Sequence, residues 1–344
     1  MKIRSLHIKN FKSIVDLEII EPNPFTVFVG PNGAGKSNIF EALEFMNYVA
    51  RFGGPSTVEM FGGEPHFTNA QHLPKSVLVE FFIENYKYYL TKQSFQDEIS
   101  LKELATPYIV HGYEINNTPK KGDVIDVSSF YKQPYFPQFS GLFKRIFIKN
   151  IELNRIKFEN PFNLIPDASN LEKILKRILL NENKREEILE WLQLLIPEFE
   201  NINIDVDDFD GQAKLKIKEK YSDKIFGKSL ISDGTFNILA LLTAVYQSDE
   251  PQFLCIEEPE NGLNPFVIRK LVDFFRAACA EKGHYIWLNT HSQTLVECLN
   301  PEEVIVVDKI EGETKIKQIK GMNLHGLDMA EVWLSGALGG GTPW

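Results

Sequence analysis

Residues Gly30-Pro31-Asn32-Gly33-Ala34-Gly35-Lys36-Ser37 fill the pattern GxxxxGK[ST] at every fixed position. Each residue type answers a need of phosphate binding. Glycines let successive backbone N–H groups turn toward one anion, the Lys36 ammonium reaches the outer phosphates, and the Ser37 hydroxyl is a ligand for Mg²⁺. A helix starting here aims its positive end at the same charge. The expected cradle runs from Gly30 through Asn32, Gly33, Ala34, Gly35, Lys36 and Ser37 to Asn38.

A second chemical element lies downstream. Phe253-Leu254-Cys255-Ile256 is an apolar run that ends in Glu257-Glu258-Pro259-Glu260. Beside a phosphate loop, Glu257 is placed to hold Mg²⁺ or its water shell. Glu258 is placed to orient and deprotonate an attacking water in phosphoryl transfer. Without that loop the pair would read as a solvated strand end. Ile286-Trp287-Leu288-Asn289-Thr290-His291 is another apolar run, ending in histidine. A strand–helix–strand crossover sets His291 beside Glu258 at the edge of a parallel sheet where ligands bind; otherwise His291 is a structural residue. Ser232-Asp233-Gly234-Thr235 opens an apolar helix. It reads either as an N-cap or as a clamp on a terminal phosphate.

The elements that must position these residues follow from hydrophobic pattern. Residues 2–8 and 14–20 predict two strands, and Phe25 to Val29 a strand buried on both faces. Ile39, Leu43, Met46 and Ala50 give Lys36 to Ala50 a helical apolar face. The chain therefore opens strand–loop–helix, as an α/β fold does. Residues 51–75 read as loop. Val77 to Ile83 and Tyr108 to Ile115 suggest an antiparallel β region, and Pro119 to Gly141 a surface loop. Leu171 to Leu195 is helical with a polar interruption at Asn181 to Glu187. Residues 202–205 and 215–218 alternate as a hairpin around Asp208-Phe209-Asp210-Gly211, which lacks the ligand pattern of a calcium loop.

Composition bounds the rest. With 344 residues, about two domains are expected at ~150 residues each. Apolar residues are 43% and charged residues 24%, enough for a sizeable core. A net charge of −10 excludes a general polyanion binder. DNA contact would need a local patch such as Lys144, Arg145, Lys149, Arg155 and Lys157, which otherwise reads as a solvated strand face. The longest charge-free stretch, Gly234 to Ser248, has 15 residues and includes Asn237, too short and polar for a membrane span. Neither a secretory leader nor a membrane partner is expected. Cys255, Cys279 and Cys298 lack metal-ligand spacing and read as reduced thiols of a cytoplasmic protein.

Taken together, several segments resemble the ABC-type ATPase heads of the SMC/RecF/OLD group, most of all the short stand-alone ATPases related to the OLD family. These are Ile8 to Ile14, the phosphate loop, Ser232 to Thr235, Glu257 to Pro265 and Asn289 to Ser292. The resemblance implies an α/β P-loop NTPase of ABC-ATPase type, with an antiparallel β region and a helical insertion lobe. The ATPase head would comprise residues 1–60 and 205–325, the insertion 61–204, and a C-terminal helix and flexible tail 326–344. ATP and Mg²⁺ are the implied ligands, with Ser37 and Glu257 on the metal and Lys36, Glu258 and His291 catalytic. His291 would sense the γ-phosphate, and Lys12 would lie by the base and α-phosphate.

The same resemblance implies a homodimer or higher oligomer, with Ser232, Asp233 and Gly234 clamping ATP held by the other subunit. Gln71 is the nearest candidate for the Q-loop glutamine. The 194 residues between Ser37 and Ser232 leave no room for an SMC-like arm. The 53 residues after His291 are too few for a Toprim domain. A separately encoded effector, such as a Toprim-type nuclease in anti-phage defence, is the implied partner. A RecF-like DNA repair clamp is the alternative. Base specificity stays open.

Overall fold

The computed structural model describes residues 2–52, 54–69, 77–83, 86–93, 109–116, 141–147, 162–206, 212–324 and 326–339. Its centre is a six-stranded sheet. From edge to edge run β14 (Glu313–Gln318), β13 (Val304–Ile310), β3 (Phe25–Val29), β12 (Tyr285–Thr290), β11 (Phe253–Glu257) and β7 (Phe143–Ile146). All neighbours are parallel except β13 and β14. Every residue of β3, β11 and β12 is buried, as their unbroken apolar runs require of strands covered on both faces.

One face carries α1 (Lys36–Phe52), and beyond it lies a second sheet ordered β2 (Ile14–Ile20), β1 (Ile3–Phe11), β4 (Val77–Ile83), β5 (Tyr86–Gln93), β6 (Ile109–Asn116). Helix α1 is thus held between two sheets. Its residues 39–49 are all buried, where the apolar spacing alone predicts one covered face. The opposite face of the central sheet is covered by α3 (Leu171–Leu179), α4 (Glu182–Leu195), α5 (Asp233–Tyr246) and α6 (Pro265–Lys282). A three-stranded sheet β10 (Ile225–Gly227)–β9 (Ala213–Glu219)–β8 (Phe199–Val206) joins that layer. No helix among the described residues is long and apolar enough to cross a membrane.

Several expectations are corrected. Residues 51–75 are not all loop: α2 (Gly54–Met60) and a 3₁₀ turn Glu64–His66 lie there. Gly54 and Pro55 open α2 rather than break it. Phe61, which follows it, packs edge-on against Phe45 at 4.9 Å between centroids. The β region is mixed, because β5 and β6 pair in parallel. The helical stretch breaks at Leu180 and Asn181, and Glu182 to Glu187 are helical. Asn181 Oδ1 accepts from the Lys184 amide and caps the second helix.

Segment 61–204 does not stand apart from the head: β4 pairs with β1, and β7 is the edge strand beside β11. The tail is packed through Gly339. Trp333, in α7 (Met329–Leu334), and Leu338 are both buried. Gln71, Lys149, Arg155, Lys157, the turn 207–211, residues 340–344 and nearly all of 119–141 lie outside the described residues.

Candidate functional site

The phosphate loop leaves β3 and enters α1, so Gly30 to Gly35 sit at the C-terminal edge of the central sheet. Gly33 and Gly35 take φ of +78° and +99°. Gly35 also lies against the β14 hairpin, where a Cβ would come within 2.0 Å of Thr314 Oγ1. Thr314 donates to the Ala34 carbonyl at 2.9 Å and meets Ser13 Oγ at 2.6 Å. Asn38 donates to the same Ser13 hydroxyl at 2.6 Å. The Asn38 side chain therefore braces α1 against the β1–β2 turn.

The Lys36 ammonium is buried and donates to the carbonyls of Gly30 at 2.6 Å and Pro31 at 2.9 Å. Burial pulls its pKa down, while the carboxylates of Glu258, Glu260 and Glu257 push it up; the net shift is downward. Asn32 is exposed and Ala34 is buried. Lys12, at φ +50°, donates to Glu41 of α1 at 2.5 Å, which commits its ammonium to the protein.

Parallel pairing of β11 with β12 sets Glu257 opposite Asn289. Glu257 Oε2 accepts from Ser37 Oγ at 2.6 Å, and Asn289 Nδ2 donates to Ser37 Oγ at 3.3 Å. Two residues expected on Mg²⁺ are thus in direct contact. Their hydroxyl and carboxylate oxygens suit a hard divalent cation. Glu258 leaves β11 at φ +44°, and its carboxylate lies 3.7 Å from His291 Nδ1. Asn261 Nδ2 donates to Glu258 Oε2 at 3.1 Å. Glu260 is buried, which raises its pKa, and Thr290 Oγ1 donates to it at 2.5 Å. The loop after β3 and the ends of β11 and β12 therefore bring Lys36, Ser37, Glu257, Glu258 and His291 to one sheet edge. An ammonium, a metal-type oxygen pair and a carboxylate–imidazole pair there can bind a polyphosphate and activate water.

Ser232, Asp233 and Gly234 lie at the start of α5. Ser232 Oγ accepts from the Thr235 amide at 3.1 Å, so the N-cap reading holds. Gly234 packs against the Glu258–Gly262 turn, where a Cβ would sit 2.5 Å from the Gly262 carbonyl. Asn237, one turn on, donates to the carbonyls of Pro259 at 2.9 Å and Asn261 at 2.8 Å. The α5 start is thereby tied to the turn that carries Glu258. Among the described residues, no hydrogen bond joins Ser232–Gly234 to the phosphate loop of the same chain.

Sequence reasoning missed two members of the site. Asn289 is a buried amide at the end of an apolar strand, a signal that was present in the pattern. In sequence Arg145 falls in a basic run that reads as a solvated strand face. It is instead largely covered on β7, donating to Glu257 Oε1 from Nε at 2.7 Å and to Glu44 Oε2 from Nη1 at 2.6 Å. Burial works against its charge, but Glu44, Glu257 and Glu41 more than offset this, and its pKa is raised. Arg145 is neither solvated nor available to a nucleic-acid phosphate.

Comparison with known proteins agrees with this geometry. Residues 25–297 match the family model described as "AAA domain, putative AbiEii toxin, Type IV TA system". An "ATP/GTP phosphatase" of Helicobacter pylori is 24% identical over 352 residues, covering 92% of each chain. The DNA replication and repair protein RecF of Leptospira interrogans is 25% identical over 60% of this chain and 58% of its own length. Among solved structures, the Pyrococcus furiosus Smc head domain with an extended coiled coil, bound to the C-terminal domain of ScpA, superposes with a TM-score of 0.53. It has 14% identity and covers 92% of this chain and 96% of that one. That likeness shows the fold, an ABC-type P-loop head. With the family model spanning most of its length, the chain belongs to the family of AAA domains described as "AAA domain, putative AbiEii toxin, Type IV TA system".

Proposed function

We propose that this protein binds a nucleoside triphosphate at Gly30–Ser37 and hydrolyses its terminal phosphoanhydride. The observation that carries this is the meeting of Ser37 with Glu257 at 2.6 Å beside Glu258 and His291. The chain is an ATPase. The Lys36 ammonium neutralises phosphate charge. Glu258 accepts a proton from the attacking water, and His291, at its shoulder, orients that carboxylate. Ser37 and Glu257 would hold Mg²⁺, which would supply charge stabilisation of the phosphoryl group.

The Ser232–Gly234 segment acts in trans in this reading. Ser232 and Asp233 are exposed, and no bond ties them to their own phosphate loop, which suits contact with ATP held by a second copy. A dimer closed by ATP supplies a two-state element, since only the triphosphate spans both faces. We further propose that this switch controls a separately encoded effector, as in the OLD-related short ATPases, with a Toprim-type nuclease in anti-phage defence as the leading partner. The family description, which names a Type IV TA system, supports work with a second chain. The test is phosphate release from ATP and GTP, together with the mass of the Glu258→Gln protein and whatever co-purifies with it in ATP. A stoichiometric second protein supports the effector reading. A bare dimer that retains DNA favours the second reading, a RecF-like clamp, which the RecF similarity supports. In that case hydrolysis would be stimulated by DNA, with affinity falling steeply with salt.

A further inference from the structure

Helix α1 presents Ser37, Glu41 and Glu44 at positions i, i+4 and i+7, one stripe along its length. Ser37 and Glu44 meet the central sheet where β7 and β11 lie side by side, while Glu41 accepts from Lys12. In that pair Arg145 is in register with Cys255, so Glu257 projects from the same face two residues further along. The guanidinium fills the space between helix and sheet. One arm bonds Glu44 at 2.6 Å, and Nε and Nη2 both reach Glu257 Oε1. The other oxygen of Glu257 accepts from Ser37 at 2.6 Å. Both oxygens of the carboxylate are therefore engaged, Oε1 by two converging guanidinium N–H groups whose fixed geometry an ammonium cannot reproduce and Oε2 by Ser37. Side-chain exposure is 10% for Arg145, 5% for Glu44 and 4% for Glu257, so water has little access to these bonds.

We propose that Arg145 is a positioning residue that aims Glu257 at the metal side of the site and thereby sets the Mg²⁺ requirement of the enzyme. The inference rests on the reading of Ser37 and Glu257 as the Mg²⁺ side. The guanidinium takes Oε1 and leaves Oε2 directed at Ser37, so one fixed oxygen of the carboxylate would be turned toward a metal or its bound water. This also gives the chain between the two halves of the head a direct hold on the site, since β7 belongs to that stretch. Partners of this kind, which orient a ligand without touching the metal, typically change metal affinity by about 10–100-fold when altered.

The test compares wild type with Arg145→Lys, which keeps the charge and removes the fork. Mn²⁺ uptake by the protein–nucleotide complex is titrated by electron paramagnetic resonance, and nucleotide affinity is measured separately in EDTA. The expected result is about a tenfold or greater rise in the Mn²⁺ dissociation constant, with metal-free nucleotide affinity unchanged. The Mg²⁺ concentration for half-maximal hydrolysis should rise in parallel. Glu44→Ala, which removes one anchor and leaves the Arg145–Glu257 contact, should give a smaller rise in the same direction. It serves if Arg145→Lys fails to fold. Loss of thermal stability with unchanged Mn²⁺ affinity in the folded variant would overturn the proposal. Absence of Mn²⁺ uptake by the wild-type complex would instead overturn the parent reading, and this inference with it.

Discussion

The amide of Glu258 donates to both the backbone carbonyl and the side-chain Oδ1 of Asn289, each at 3.1 Å. This bifurcated hydrogen bond to the neighbouring strand accompanies φ +44° at Glu258, a conformation that costs a non-glycine residue about 1–3 kcal/mol. The turn it creates swings the carboxylate out of the sheet edge to His291. Asn289 also donates to Ser37, so one buried amide links Ser37 to the Glu258 turn.

Replacing Asn289 by alanine is therefore expected to lower kcat by tenfold or more, about 1.4 kcal/mol in transition-state terms, with nucleotide affinity little changed. Steady-state phosphate release alongside equilibrium nucleotide binding checks this. An unaltered kcat would show that the Glu258 turn holds itself.

Glu258→Gln keeps the shape and its Asn261 contact but cannot take a proton. Turnover should fall by about 10²–10⁴-fold while ATP binding persists and an ATP-bound dimer accumulates. Light scattering with and without ATP, beside single-turnover hydrolysis, reads both. Wild-type turnover in this variant would exclude Glu258 as the base.

Within the phosphate loop, Lys36→Ala should abolish nucleotide binding. The glycines should separate by environment. Gly35→Ala drives a Cβ to 2.0 Å from Thr314 Oγ1 at φ +99°, whereas nothing lies within 4 Å of a Cβ at Gly33. Gly33→Ala should cost about 1–2 kcal/mol, the left-handed penalty alone, and Gly35→Ala distinctly more. Urea denaturation of the two variants measures the difference.

Ser232 tests the clamp in trans. Ser232→Ala removes a cap and should cost about 0.5–2 kcal/mol of stability. Ser232→Arg should leave ATP binding in place and abolish hydrolysis by blocking a second copy's phosphates. If hydrolysis survives Ser232→Arg, the cross-subunit contact is excluded.

His284 carries a pH dependence of stability. It is buried, accepts from the Gln252 amide at Nδ1 and lies 3.1 Å from the Val245 carbonyl. Burial lowers its pKa from 6.5, with the Val245 carbonyl opposing. The unfolded chain thus binds this proton first as pH falls. The stabilisation is complete above about pH 6.5 and declines from there down to the lowered folded value. Denaturation midpoints between pH 7.5 and 5 should fall less steeply in His284→Gln than in wild type.

Local pattern alone determined much of this protein. The phosphate loop, the strands before it and before Glu257 and His291, and the helix opened by Ser232 are written in runs of apolar, glycine and capping residues. Those signals are local, because a buried strand or a capped helix start depends on neighbours a few positions away. The meeting of Glu258 and His291 was legible too, since a right-handed crossover leaves few other places for consecutive parallel strands. What only the tertiary structure decided is which polar groups are buried together. Arg145 and Glu44 look like surface charges in sequence, and they become part of the site because β7 pairs with β11 opposite α1, 112 and 101 positions away from their partners. The partners of Asn38 and Lys12, Ser13 and Glu41, are likewise set only once the N-terminal sheet closes over α1. Charge and hydrogen-bonding capacity are fixed by residue type, but whether they meet water, substrate or another side chain depends on burial, which long-range pairing alone sets.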